Sequence, residues 1–366
     1  MNIGIIGLGL LGGSLAKAFK KANAQNSYII GSDADITTLM KAKEEGIIDH
    51  DAAGIDDSFS SCAVIFICTP VAYIPKVVQQ LIPYISKDCI ITDVGSTKYK
   101  IIEEINTILD DHHSPAYFVG GHPMAGSENS GYDFSKAHLF QNAYYILTPR
   151  GNTPDFIVFI LKKLVERIGA IPILLSPTYH DFATASVSHV PHIIAAGLVH
   201  LIKDSDGESN HLHTLAAGGF KDITRIASSD PNLWHDICIS NKNQILKILK
   251  RYLAILEDAT ESIEKEDNKW IYNYFKDAKS YRDTFASNTS GLLTKVYTLY
   301  VDVQDKLGMI AHIATLLSNH DINIKNIGIV NHREFQGGVL QITFENKSHM
   351  IESMQILSHN HYRTFY

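Results

Sequence analysis

The stretch Met1-Asn-Ile-Gly-Ile-Ile-Gly-Leu-Gly-Leu-Leu-Gly-Gly-Ser14 decides how the first half of the chain folds. Ile3 to Ile6 read as a short buried strand, and the chain then turns on Gly7 and Gly9. From Gly12 onward Leu15, Ala16, Ala18 and Phe19 are spaced for one helical face. Gly7-x-Gly9-x-x-Gly12 thus lies between a strand and a helix, the context that a dinucleotide fingerprint requires. Gly7 permits the tight turn, Gly9 lets backbone approach a pyrophosphate, and Gly12 lets helix and strand pack closely, with the phosphates at the positive helix end. Leu10 and Leu11 belong to the same cofactor-binding loop.

Working outward, Ser27 to Gly31 reads as a second strand leading to Asp33, about twenty residues past the glycines. A carboxylate there bonds both ribose hydroxyls and repels a 2′-phosphate, which favours NAD over NADP. The alternative is that Asp33 or Asp35 only caps the next helix. Asp35 is the better cap, since Ile36 to Glu45 is helical and stops at Gly46. Asp33 is then left for the cofactor.

Alternation of strand and helix continues. Ala63-Val-Ile-Phe-Ile-Cys68 is a continuous apolar run, as in parallel strands buried on both faces, and it ends in Thr69-Pro70 near the cofactor. A helix follows to about Tyr84, with Pro75 in its first turn. Cys89 to Val94 is the next strand, and Gly95-Ser96-Thr97-Lys98 starts another helix. Tyr117 to Val119 is a further strand, ending in Gly120-Gly-His-Pro-Met-Ala-Gly126. The expected fold is α/β, a Rossmann-type doubly wound parallel sheet over 1–172. From Ser176 strand signals vanish and helices take over: Pro177 to Ile202 with a bend at Pro191, Asp230-Pro231 opening a long helix to Ile263, and Lys269 to Arg282. This is an all-α domain, 173–290, suited to packing on the nucleotide domain and on its copy in a homodimer. Strands at Thr298 to Val303, Asn323 to Val330 and Val339 to Phe344, helices at Met309 to Leu317 and Met350 to Leu357, and a short last strand give a ferredoxin-like βαββαβ module over 294–366.

Length and composition set limits. The 366 residues suffice for two or three domains, and 45% hydrophobic content describes a soluble globular chain. A net charge of −7 argues against a nucleic-acid partner and means that an anionic substrate needs a local basic pocket. No unbroken run of eighteen apolar residues appears, so no membrane span is expected, and the first strand begins too early for a signal peptide. Cys62, Cys68, Cys89 and Cys238 form no C-x-x-C pair and read as core residues in a reducing cytoplasm. His112-His113 and His211-x-His213 have no third ligand at a metal-binding spacing, so no metal is expected.

Three stretches carry polar chemistry to the carboxyl ends of the strands: Thr69-Pro70, Gly95 to Lys98 and Gly121-His122-Pro123. His122 there faces a nicotinamide, and a neutral imidazole suits the removal of a hydroxyl proton as hydride departs. The bland alternative is a turn histidine bonded to backbone. Ser96 bridges substrate hydroxyl, His122 and ribose, or caps the helix at Thr97, or both. On the helix after Pro177, His180, Thr184, Ser188 and His192 recur every four residues and form a polar stripe, which either lines a pocket or bonds to neighbouring backbone. His189 lies off that stripe and reads as structural. Gly218-Gly219 precede a short helix whose Arg225 offers a planar fork to a carboxylate, unless it pairs with Asp222; Trp234 either stacks on that guanidinium or belongs to the core.

At these residues the chain resembles the prephenate/arogenate dehydrogenase family of tyrosine biosynthesis. The matching pieces are Gly7 to Ser14, Asp93-Val-Gly-Ser-Thr-Lys98, Gly121-His-Pro-Met-Ala-Gly126, Ser188-His-Val-Pro-His192 and Gly219-Phe-Lys-Asp-Ile-Thr-Arg-Ile-Ala227, followed by Ser-Asp-Pro and Trp234. The resemblance covers about residues 1–285. One departure is a longer segment between Ser96 and His122, expected only to lengthen a loop. The tail, with Asp305-Lys-Leu-Gly308 and Asp321-Ile-Asn-Ile324, resembles an ACT domain, a module that binds amino acids between copies. The resemblance implies NAD-dependent oxidative decarboxylation of prephenate, or of its amino analogue arogenate, with feedback by L-tyrosine through the tail. It implies His122 as base with Ser96 aligning it, and Arg225 on the ring carboxylate. His192, Ser188 and Gly218 would face the pyruvyl side chain, with His180 also on the substrate. No metal is required, because aromatisation drives loss of carbon dioxide. Another β-hydroxyacid dehydrogenase is a rival, but its expected lysine is missing from Pro177 to His200. A non-catalytic sensor of NAD and an amino acid is the rival from another class.

Overall fold

The computed structural model describes residues 1–23, 27–126, 129–207, 210–287, 297–303, 306–330 and 338–366. Its contacts divide the chain into two compact units, Met1–Glu257 and Asp258–Tyr366.

The first unit opens with β1 (Asn2–Ile6), α1 (Leu10–Asn23), β2 (Tyr28–Ser32), α2 (Ile36–Glu44) and β3 (His50–Ala52). β4 (Val64–Ile67), α3 (Ile74–Leu81), β5 (Ile90–Asp93), α4 (Tyr99–Asp111), β6 (Tyr117–Pro123), β7 (Tyr144–Thr148), α5 (Asp155–Arg167) and β8 (Ile171–Leu174) complete an eight-stranded sheet. Its order is β3-β2-β1-β4-β5-β6-β7-β8. The apolar runs follow from burial on both faces. In β4, Val64 and Phe66 join one core with Leu15 and Phe19 of α1, while Ile65 and Ile67 join the other with Val78 of α3 and Ile105 of α4. Each such side chain contributes about 1.5–3 kcal/mol on burial.

Three details differ from the sequence reading. Helix α1 begins at Leu10, before Gly12. β6 runs through His122 to Pro123 because it pairs antiparallel with β7, so the sheet is mixed. The sequence reading assigned no strand to β3, β7 or β8, whose short runs carry no period that separates strand from helix.

Helices then take over, as expected. α6 (Pro177–Thr184) is capped by Ser176, whose hydroxyl accepts from Tyr179 N. It continues through a π-helical segment, Ala185–His189, into α7 (Val190–Ser205). Pro191 has no N–H to donate, and the helix changes register just before it, with Val190 N reaching Ala185 O. The expected bend at Pro191 is thus a π-turn. Pro177–Ser205 is also long and apolar enough to cross a membrane by length and composition, which a search for unbroken apolar runs misses.

α8 (His211–Leu215), α9 (Gly218–Thr224), α10 (Pro231–Ser240) and α11 (Lys242–Glu264) follow. The single long helix expected from Asp230 is broken at Asn241, whose buried amide donates to Asp181 O instead of facing solvent. Among the described residues the buried apolar core of this helical part is small: Ala185, Val190, Ile237 and Ile245. Val199, Leu201, Leu233, Ile239, Leu246 and Leu253 remain exposed.

The second unit contains α12 (Asn268–Ser287), then β9 (Tyr297–Val303), α13 (Met309–Ser318), β10 (Asn326–Val330), β11 (Gly338–Phe344), α14 (Lys347–His359) and β12 (Arg363–Phe365). The strands form an antiparallel sheet in the order β10-β11-β9-β12, the βαββαβ arrangement read from the sequence. Leu299, Val301, Leu340 and Ile342 pack with Ile313, Leu317 and Leu357. Asp305 of the tail motif and the expected boundary between 290 and 294 lie outside the described residues.

Candidate active site

The carboxyl ends of β1, β2 and β4 enclose a crevice of about 530 Å³, lined by Gly7, Gly9, Asp33, Thr69 and Pro70. The glycines divide their tasks by geometry. Gly7 has φ +90°, and its N–H donates to Ser32 O at 2.8 Å. A Cβ on Gly12 would stand 1.8 Å from Gly7 O, so only glycine lets the helix pack here. A Cβ on Gly9 would meet nothing within 4 Å. Gly9 therefore borders open space, which suits close approach by a phosphate. Leu10 and Leu11 form the first turn of α1, whose positive end faces this loop. Asp33 lies past β2, where its Oδ2 accepts from Leu8 N at 2.5 Å and its Oδ1 from Asp35 N at 2.8 Å. Asp35 caps α2 through Thr37 N, and Asp33 lines the crevice with both oxygens held by backbone N–H groups. The Thr69 hydroxyl is buried with no hydrogen-bond partner among the described residues, which suits a polar ligand in the crevice it lines.

β5 and β6 bring Ser96 and His122 to the same edge of the sheet. Asp93, fully buried, fastens the two loops together. Its Oδ2 accepts from Gly95 N at 2.8 Å and pairs with Lys98 Nζ, and its Oδ1 accepts from Gly121 N at 3.0 Å. Burial pushes the Lys98 ammonium down against the pull of Asp93. Ser96 is partly buried. It does not cap the following helix, which starts later, at Tyr99, and takes its cap from Asp181. Asp181 Oδ1 accepts from Lys98 N at 2.7 Å, and its Oδ2 accepts from Tyr99 N at 2.9 Å.

His122 is partly exposed, and its Nδ1 lies 2.8 Å from His180 Nε2. His180 Nδ1 in turn lies 2.8 Å from Asp181 Oδ1. Burial, with Lys98 and His180 nearby, holds His122 well below the usual imidazole range, and burial lowers His180 as well. Both rings are therefore neutral at pH 7. His180, expected on the substrate, is instead fully buried with both ring nitrogens engaged. Thr184 follows the second reading of the stripe, its hydroxyl donating back to His180 O.

Past the π-turn, Ser188 and His192 are partly exposed. His192 Nδ1 donates to Ser188 O at 2.9 Å, leaving Nε2 as the outward nitrogen. The ring stacks on Trp234 at 3.7 Å between centroids, so Trp234 supports His192. Burial pushes His192 down against the bond to Ser188 O, and the Arg225 charge adds to the lowering. Gly218 begins α9, with open space around its Cα. His189 is buried, accepts from Asn241 Nδ2 at 3.2 Å and packs edge-on to Trp234, a structural role as expected. The sequence reading gives no role of their own to Asp93, Lys98, Asp181 or Asn241, although Asp93 and Lys98 bound a quoted motif and Asp181 directly follows a flagged histidine.

Chemically, the arrangement offers a dinucleotide crevice, a neutral imidazole at the neighbouring strand end, and an Arg225–His192 pair suited to an anion. The family model described as prephenate dehydrogenase, nucleotide-binding domain, matches residues 15–174, and that described as prephenate dehydrogenase, dimerization domain, matches 176–277. The prephenate dehydrogenase of Bacillus subtilis (strain 168) is 39% identical over 364 residues, 99% of this chain and 97% of that protein. The structure of prephenate dehydrogenase from A. aeolicus in complex with hydroxyphenyl propionate and NAD+ is 33% identical, with a TM-score of 0.72 over 78% of this chain and 98% of that one. Synechocystis arogenate dehydrogenase is 30% identical, with a TM-score of 0.69 over 78% of this chain and 100% of that one. On this agreement of site, sequence and fold, the chain belongs to the prephenate dehydrogenase family.

Proposed function

We propose that His122 is the base in an NAD-dependent oxidative decarboxylation of prephenate to 4-hydroxyphenylpyruvate. The observation that carries this reading is one imidazole at the sheet edge, neutral, with Nδ1 engaged by His180 and no other hydrogen bond among the described residues. Bound NAD supplies the hydride acceptor. Gly7, Gly9, Leu10, Leu11, Gly12, Asp33, Thr69 and Pro70 would hold it, with Ser96 between its ribose and His122. His122 Nε2 takes the proton of the ring hydroxyl as hydride leaves the carbon that bears it. The ketone so formed is an electron sink for the opposite ring carbon. The bond to the ring carboxylate then breaks, its electron pair moves through the ring to the ketone oxygen, carbon dioxide departs, and the aromatic phenolate takes the proton back from His122. Arg225 holds that carboxylate before it leaves, while His192, Ser188 and the Gly218 backbone face the pyruvyl side chain.

Arogenate is the second reading, supported by the likeness to Synechocystis arogenate dehydrogenase. We also assign three domains, 1–172, 173–290 and 294–366, and a cytoplasmic homodimer. The exposed apolar residues of α7, α10 and α11 suit a second copy, in line with the dimerization-domain match. The βαββαβ module fits an ACT-type site for L-tyrosine. NADH formation with prephenate and with arogenate, each with and without tyrosine, tests these points together. Turnover of neither substrate would end the reading.

A further inference from the structure

We propose that His180 and Asp181 are positioning residues that hold His122 as its Nδ1–H tautomer, so that the nitrogen turned to the substrate is the bare one. The inference rests on the reading of His122 as base and adds how that base is kept ready.

The Asp181 carboxylate can only accept, and both its oxygens already receive backbone N–H groups of Lys98 and Tyr99. The ring nitrogen 2.8 Å from Oδ1 is His180 Nδ1, which must carry the proton of that neutral ring. His180 Nε2 is then a lone pair. It lies 2.8 Å from His122 Nδ1, which must be the donor. The His122 proton is thereby fixed on Nδ1, and Nε2 is free to accept from a hydroxyl. When His122 takes up that proton it becomes a cation, and its Nδ1–H bond to His180 strengthens, backed by the Asp181 charge. The chain is also rigid. His180 is fully buried, and Asp181 is held at both oxygens by the first turn of α4, the helix that follows Ser96. Lys98, Asp93 and His189 are the other titratable groups around the two rings. The one element thus fixes base, tautomer and serine loop together.

The test uses the full-length enzyme and the variants His180→Ala, His180→Gln and His122→Asn, with steady-state kinetics and ¹⁵N spectra of labelled histidines. His180→Ala is expected to lower kcat by about tenfold or more while KM for prephenate and the Kd for NAD stay within about twofold. Its His122 signal should change from one Nδ1–H tautomer to a mixture. Glutamine places an acceptor oxygen near the position of Nε2, so His180→Gln should recover much of kcat and the single tautomer. Asp181→Asn should lower kcat in the same way. It also weakens the α4 cap, so if it loses NAD binding the His180 variants decide.

An unchanged kcat in His180→Ala, an unchanged tautomer, or a raised prephenate KM at native kcat would each overturn the proposal, the last by making His180 a substrate ligand. His122→Asn separates this failure from that of the wider reading. If it keeps native turnover, His122 is not the base. If it is inactive while His180→Ala is normal, only the positioning role fails.

Discussion

Arg225 is exposed at the end of α9, and its charge reaches the half-buried His192 ring stacked on Trp234. A substrate carboxylate placed there gains a charge-assisted bond, worth about 1.5–3 kcal/mol. Arg225→Ala should therefore raise the prephenate KM by about ten- to a hundredfold, with kcat changed far less, in steady-state assays. An unchanged KM would move the carboxylate elsewhere. His189 sets a pH dependence of a different kind. Burial holds its folded pKa at about 4, below the ordinary 6.5, so the unfolded chain takes up the proton first as pH falls. The stability it contributes is complete above about pH 6.5 and is lost as pH falls toward 4, about 3 kcal/mol in all. Denaturant midpoints from pH 7 to 4.5 should fall, and His189→Gln should flatten that part of the fall. Equal slopes in the two proteins would contradict the assignment.

At the scale of elements, the turn between β1 and α1 offers a paired test. Gly12→Ala sets a methyl 1.8 Å from a backbone oxygen, and the loop must move. It should lose about 1–3 kcal/mol of stability together with NAD binding. Gly9→Ala meets no protein atom, so its thermal midpoint should stay native while its Kd for NAD rises by about tenfold or more. Equal effects of the two in melting and in NAD titration would mean that the crevice is not where the phosphates lie. This turn was legible in the sequence because glycine spacing and flanking periodicity are local. Asp33 and Asp35 were legible for the same reason. The Asp93 staple and the Asp181 cap were not, since each joins residues that are distant along the chain: Asp93 to Gly121, and Asp181 to Lys98. The stripe of every fourth residue failed for a related reason. The π-turn changes the register between His180 and His192, so one histidine faces the core and the other the outside. Helical periodicity assumes an unbroken α-helix, and a proline with no N–H removes that assumption.

For the whole molecule, the two compact units suggest separable tasks. Within the second unit, the part from β9 onward has its own core around Leu299, Val301, Leu340 and Leu357. A chain ending at residue 287 should keep NADH formation from prephenate and lose inhibition by L-tyrosine. Equal tyrosine sensitivity in both forms would place the effector site outside the tail. Sedimentation of the same truncated chain should still give a dimer, because the exposed apolar residues of α7, α10 and α11 remain. The proposed chemistry depends on one ring, His122, at the strand end beside Ser96. The most direct measurement is prephenate-dependent NADH formation by full-length His122→Asn, with NAD affinity measured on the same preparation. The account predicts that turnover falls by about 10²- to 10⁴-fold while the Kd for NAD stays within about twofold. Near-native turnover in that variant would contradict it.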